Sequence, residues 1–85
     1  MKLFVGNLSY DITSEDLHEF FRQVGGVAVA RVINDRETGR SKGFGFVEMS
    51  DGTAAERAIQ ELNGIDSMGR TMMVTLARDQ TLWGH

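Results

Sequence analysis

The fold is decided by one octapeptide, Lys42-Gly43-Phe44-Gly45-Phe46-Val47-Glu48-Met49. Side chains of an extended strand alternate between two faces, so Phe44 and Phe46 share one face while Val47 and Met49 share the other. This period-two pattern predicts a β-strand. Both faces carry large apolar groups, although a small sheet with helices on one side has only one face to bury. The octapeptide therefore predicts a sheet with large apolar side chains on both faces, including the face that helices do not cover.

Three further strands are predicted around the octapeptide. Residues 2–6 alternate in the same way, residues 27–34 are rich in Val, Ile and Ala, and residues 72–77 alternate again. In the last of these strands, the even-numbered residues are expected on one face and the odd-numbered residues on the other. Each strand is flanked by polar or glycine-containing segments that predict loops.

Two helices are predicted between the strands, over residues 13–24 and 51–62. Thr13, with Asp16 three positions later, has the spacing of a capping box, in which Asp replaces the usual Glu. Asn63 and the glycine after it are expected to end the second helix. A short loop should then lead to the last strand.

This order is β-α-β-β-α-β, which predicts an α+β fold of the ferredoxin-like type. In this sandwich, a four-stranded antiparallel sheet carries two helices on one face and leaves the other face open. The length of 85 residues suits one domain. We expect that domain to cover residues 1–78, followed by a flexible C-terminal tail over residues 79–85.

Three phenylalanines are expected on the face without helices. The helix-facing side of the sheet is already supplied by Leu3, Val5, Val47, Met49, Met72 and Val74. Phe4, Phe44 and Phe46 must then point the opposite way, which forgoes roughly 1.5–3 kcal/mol of burial for each ring. Such a group of exposed rings marks a binding site. Two alternatives remain open: the tail, with Leu82 and Trp83, covers the rings, or a second copy of the chain does.

In two short motifs the chain resembles the RNA-recognition-motif family. Residues 42–49 match the family's octamer, K/R-G-F/Y-G/A-F-V-x-F/Y, with Met49 as the one departure. Residues 3–8, which read LFVGNL, match its hexamer, and residues 35–40 and the glycines before the last strand are also similar to the family. The resemblance spans residues 2–78 and is strongest to small, single-domain members of bacterial or organellar type.

The resemblance implies that Phe4, Phe44 and Phe46 stack bases of single-stranded RNA, and that Lys42 pairs with phosphate. Single-stranded DNA is a second candidate ligand. Four further basic residues are expected near the rings and are included in the predicted RNA-binding site: Lys2, Arg31, Arg40 and Arg78.

The net charge of −3 opposes nucleic-acid binding at first sight. Its distribution weakens that objection. Each predicted helix carries three acidic residues against one basic residue, and the remainder of the chain has a small positive excess. The negative charge is thus expected on the helix side, away from the open face.

Several function classes are disfavoured. The chain has no Cys, and its two His residues lack partners at ligand spacing, so we expect no metal, no cofactor and no catalytic residue. Acylphosphatases share this element order but need a phosphate-binding loop with Arg, which residues 7–9 do not offer. No apolar run has the length of a membrane span or a signal peptide, so we expect a protein of the cytoplasm or an organelle interior that is not secreted. We also expect a monomer.

The main hypothesis is therefore a non-enzymatic module for post-transcriptional binding of single-stranded RNA. A protein-interaction module of the same fold is the alternative. Relatives of that kind lack the sheet aromatics or carry an Arg-x-Phe motif near the last strand, where this chain has Arg70-Thr71-Met72.

Overall fold

The structure is a computed structural model that describes residues 1–77. Its elements follow the predicted order, with one short hairpin added before the last strand. They are β1 (Lys2–Gly6), α1 (Ser14–Arg22), β2 (Val27–Asn34), β3 (Ser41–Met49), α2 (Gly52–Leu62), β4 (Asp66–Ser67), β5 (Arg70–Thr71) and β6 (Met73–Leu76). The predicted ferredoxin-like α+β fold is confirmed.

The main sheet has four antiparallel strands in the order β2-β3-β1-β6. The two strands that carry the family motifs, β1 and β3, are therefore central neighbours. Their register places Phe4 opposite Phe46. Because residues directly opposite each other in a sheet share a face, this register brings the two motifs onto one surface.

The core lies between the sheet and the two helices, as predicted. All six apolar residues assigned to the helix-facing side of the sheet are buried: Leu3, Val5, Val47, Met49, Met72 and Val74. The helices contribute Leu17 and Phe21 from α1 and a row of small residues and Leu62 from α2. The sheet face opposite the helices contributes nothing to this core within residues 1–77.

Capping fixes where each helix begins. Thr13 Oγ1 accepts a hydrogen bond from the Asp16 N–H, and the Asp16 carboxylate accepts one from the Thr13 N–H, which confirms the predicted capping box. The Asp51 carboxylate accepts from the Ala54 N–H and caps α2 in the same way. Each cap thus provides a side-chain acceptor for an N–H group in the first turn of its helix.

One expectation about the last part of the chain is wrong. The loop after α2 contains the β4–β5 hairpin, which pairs Asp66 with Thr71. Leu76 is 47% exposed, although its register with Leu3 places it on the helix side. It is the final residue of an edge strand, so it has a sheet neighbour on one side only. Among residues 1–77, no helix has the length and apolar character needed to cross a membrane.

Candidate nucleic-acid interface

The sheet face without helices, called the open face below, carries the three predicted phenylalanines in mutual contact. The ring centroids of Phe4 and Phe44 are 5.7 Å apart, those of Phe4 and Phe46 are 5.7 Å apart, and those of Phe44 and Phe46 are 6.4 Å apart. These three rings form the aromatic platform. Their separations are typical of favourable aromatic pairs, so part of each ring is covered by its neighbours and all three are half-buried.

Two glycines allow the platform to form. A Cβ on Gly6 would lie 2.9 Å from Cε2 of Phe4, so the absence of a side chain lets the Phe4 ring lie over the strand. A Cβ on Gly45 would collide with the carbonyl oxygen of Arg31, so this glycine lets β2 approach β3 closely. The glycines therefore set the spacing of the strands and leave the flanking rings unobstructed.

Two of the predicted cations lie directly on the open face. Lys2 Nζ is 5.4 Å from the centroid of the Phe46 ring, within the range of a cation–π interaction. Arg31 is exposed and in register with Phe46, which places it in the same row across the sheet. The structure thus brings Lys2 and Arg31 to the aromatic platform, one on each side of Phe46.

Arg40 and Lys42 lie beside the platform rather than on it. Together with Phe44 and Tyr10 they line a depression of about 990 Å³ between the β2–β3 connection and the segment after β1. Both side chains are exposed. They are therefore accessible to a ligand that extends from Phe44 toward this depression.

Asp35 moderates the positive charge at this edge. Its carboxylate accepts hydrogen bonds from the N–H groups of Thr38 and Glu37, and Lys42 contributes a favourable charge interaction. These effects, with the Thr38 N–H first, hold the pKa of Asp35 below its ordinary value of 3.8. Lys42 consequently has a nearby carboxylate in the free protein.

The remaining predicted cation, Arg78, lies outside the described residues. The same is true of Leu82, Trp83 and the rest of the tail, and hence of the suggestion that the tail covers the rings.

Arg70 is not among the residues that the sequence predicted for the site. Arg70 lies at the start of β5, and its Nε and Nη2 donate to Asn7 Oδ1 over 3.3 and 2.9 Å. Its guanidinium carbon is 5.5 Å from the centroid of the Tyr10 ring. These contacts join residues about 60 positions apart in the chain, so no local pattern could have revealed them.

The helices carry the negative charge that the sequence predicted there. Two ion pairs lie on their surfaces, Arg22 with Glu19 at 3.1 Å and Arg57 with Glu61 at 3.2 Å. Both pairs are exposed and contribute little to stability. Because these pairs occupy the helical arginines, the positive groups without an ion-pair partner within residues 1–77 belong to the sheet and its loops.

Comparison with known proteins places this architecture in a family. The family model of the RNA recognition motif matches residues 3–73. The chain therefore belongs to the RNA-recognition-motif family, as its hexamer and octamer indicated.

Individual relatives agree with this assignment. The putative RNA-binding protein RbpE of Nostoc sp. is 49% identical over 78 residues, which cover 92% of this chain and 79% of that protein. The 28 kDa chloroplastic ribonucleoprotein of Spinacia oleracea is 54% identical over 76 residues, covering 89% of this chain but 33% of that protein. The crystal structure of RNA-binding protein PG1 superposes with a TM-score of 0.89 at 52% identity, covering 93% of this chain and 95% of that one.

Proposed function

We propose that this chain is a single-stranded RNA-binding module that holds bases on the aromatic platform. The observation that supports this most directly is the position of Phe4, Phe44 and Phe46. The three rings lie on the sheet face opposite the helices, where they do not join the core. Bases present flat apolar faces that stack on such rings.

Cations around the platform contact the RNA backbone in this proposal. Lys2 and Arg31 lie on the open face, and Arg40 and Lys42 flank Phe44. Arg78 is included on the basis of its sequence position. Since few phosphates are neutralised, the salt dependence of binding is shallow.

The affinity follows from the number of stacked bases. Each stacked base contributes about 1–3 kcal/mol. Two or three such bases, with a few hydrogen bonds, approach about 8 kcal/mol, which corresponds to a micromolar dissociation constant. We therefore expect a weak to moderate affinity for a few nucleotides, with limited sequence preference.

In this function the chain is a non-enzymatic domain over residues 1–78 that acts as a monomer inside the cell or an organelle. The alternative, a protein-interaction module, would leave the aromatic platform unused and place the partner on the helices. The acidic helix surface offers no comparable group of exposed rings within residues 1–77.

The test is titration of the ¹⁵N-labelled protein with pools of short single-stranded RNA. Amide shifts centred on β1 and β3 and extending to the neighbouring cations support the proposal, whereas shifts on α1 and α2 without a response of the sheet support the protein-interaction alternative. The double substitution Phe44→Ala and Phe46→Ala should abolish binding, because it removes two of the three stacking surfaces.

Phe20→Ala is the matched control for this double variant. Phe20 is another partly buried phenylalanine, but it lies on α1 and packs against the core. Its loss should lower the free energy of unfolding and leave the RNA affinity of the folded protein unchanged. Equal loss of RNA affinity in the control and the platform variants would contradict the proposed function.

A further inference from the structure

Arg70 is held in place by three contacts although it is an exposed residue. Two of its N–H groups donate to Asn7 Oδ1, and its guanidinium lies over the ring of Tyr10. Asn7 is itself fixed, because its Nδ2 donates to the Thr71 carbonyl oxygen over 2.7 Å and its backbone has a φ of 56°. An arginine held in this way loses little conformational entropy when it binds a ligand.

Arg70 contacts the segment that directly follows β1, because its partners are Asn7 and Tyr10. Asn7 directly follows Gly6, the residue over which the Phe4 ring lies. Tyr10 lies against Gly43, since a Cβ on that glycine would be 3.2 Å from Cε1 of Tyr10. Gly43 immediately precedes Phe44 in β3. The Arg70 guanidinium and the aromatic platform are therefore adjacent parts of one surface.

The charge of Arg70 has no carboxylate partner in the part of the chain that the structure describes. The ion pairs found between residues 1 and 77 involve Arg22 and Arg57. Asp66, the acid of the same hairpin, instead accepts a hydrogen bond from Thr71 Oγ1 over 3.2 Å. A guanidinium has five N–H donors, so three remain after the two bonds to Asn7.

These observations fit a phosphate ligand. A planar guanidinium with free N–H groups matches the geometry of phosphate oxygens. The Asn7 amide that orients Arg70 is neutral, so it does not compensate the positive charge. A structural tie between the hairpin and β1 would need only the amide of Asn7 and the Thr71 carbonyl. Such a tie does not explain why the Arg70 guanidinium lies over the ring of Tyr10, which is 64% exposed.

We propose that Arg70, oriented by Asn7 and Tyr10, binds a backbone phosphate of the RNA strand that occupies the aromatic platform. The site rests on the proposed function, because it assigns one phosphate of the same ligand. It adds a contact from the β4–β5 hairpin to a surface otherwise built from the main sheet and the β2–β3 connection.

The experiment combines a protein substitution with a change in the ligand. Among homopolymeric RNA hexanucleotides, the tightest binder is prepared with a neutral methylphosphonate at each linkage in turn. Dissociation constants are measured for the unmodified protein and for Arg70→Gln at several salt concentrations. Arg57→Gln, which removes an equal charge from the exposed surface of α2, is the control.

The expected result is selective. Arg70→Gln should weaken binding about fivefold and lower the slope of log K against log[salt] by about 0.7, the value for one phosphate of a single strand. One methylphosphonate position should weaken binding to the unmodified protein and have no further effect on Arg70→Gln, because the two changes remove the same contact. Arg57→Gln should leave both quantities unchanged.

Arg70→Lys separates charge from structure. It should keep the salt slope and lose only part of the affinity, since lysine retains the charge but not the fork of donors. If Arg70→Gln and Arg57→Gln have equal salt slopes while Phe44→Ala still weakens binding, the phosphate site is excluded and the proposed function stands. If the unmodified protein binds none of the hexanucleotides, the proposed function and the phosphate site both fail.

Discussion

Leu3 and Phe4 are consecutive residues of β1, yet they lie in two different environments. Leu3 is 0% exposed and packs beneath the helices, whereas Phe4 lies half-buried on the open face against Phe44 and Phe46. Both are large and apolar, so composition does not distinguish them. The difference arises from the alternation of side chains along the strand and from the helices covering one face only.

Apolar side chains have different roles on the two faces of this sheet. On the helix side, apolar groups are fully removed from water and stabilise the fold. On the open face, the phenylalanines cover one another in part, and the surface that remains is available to a ligand. The rings are therefore less exposed than strand alternation alone predicted, because three neighbouring aromatic residues also form contacts among themselves.

The strongest test of this difference substitutes the two neighbours one at a time. Leu3→Ala should lower the free energy of unfolding by about 2–5 kcal/mol, because it leaves a cavity in the core. Phe4→Ala should cost about 1 kcal/mol of stability from lost ring contacts, while RNA affinity falls by about 1–3 kcal/mol. Urea denaturation and RNA titration measure the two quantities.

Each variant is the control for the other. Folded Leu3→Ala protein should bind RNA with its original affinity, since Leu3 is inaccessible from the open face. A Phe4→Ala variant that is destabilised as strongly as Leu3→Ala, and binds RNA normally, would show that the two faces have the same role.

A smaller effect is expected at Lys2, which tests the electrostatic side of the open face. Lys2→Met keeps an apolar chain near Phe46 and removes the charge that lies 5.4 Å from its centroid. RNA affinity should fall about fivefold and the salt slope by about 0.7, if Lys2 contacts one phosphate. Arg22→Gln, on the helix side, should change neither value, and an equal response of the two variants would indicate only a general effect of net charge.

The smallest effect concerns Asp35 at the edge of the open face. Hydrogen bonds from Thr38 and Glu37 lower the pKa of its carboxyl in the folded protein. The stabilisation of this turn is therefore complete above the unfolded pKa near 3.8 and is lost as the pH falls through the lower folded pKa. A carboxyl NMR titration should give a midpoint below 3.8 for Asp35, and Asp35→Asn should remove that pH dependence. A midpoint at or above the ordinary value would show that the turn does not form in solution.

Much of the fold was accessible from the sequence because its causes are local. Strand alternation placed Leu3 and Val47 in the core, and the capping box at Thr13 located the start of α1. The β4–β5 hairpin was missed because its strands have two residues each, too few for a period to be recognised.

The candidate site divides in the same way. The octapeptide and alternation predicted which phenylalanines share a face, and the structure brings Phe4 and Phe46 into direct register. It also brings Lys2 and Arg31 to these rings, whereas Arg40 and Lys42 lie at the edge. The RNA-binding roles of these residues stay predictions until they are tested.

The sequence by itself determined the order of the two helices and the four strands of the main sheet, the faces of the residues in β1 and β3, and the family, because these depend on periodicity and on short motifs. Only the tertiary structure decided that Arg70 lies on Tyr10 and is held by Asn7, since those contacts join distant parts of the chain. It also decided how far the three rings cover one another. Such properties depend on strand register and loop packing, which arise only when the whole sheet has assembled.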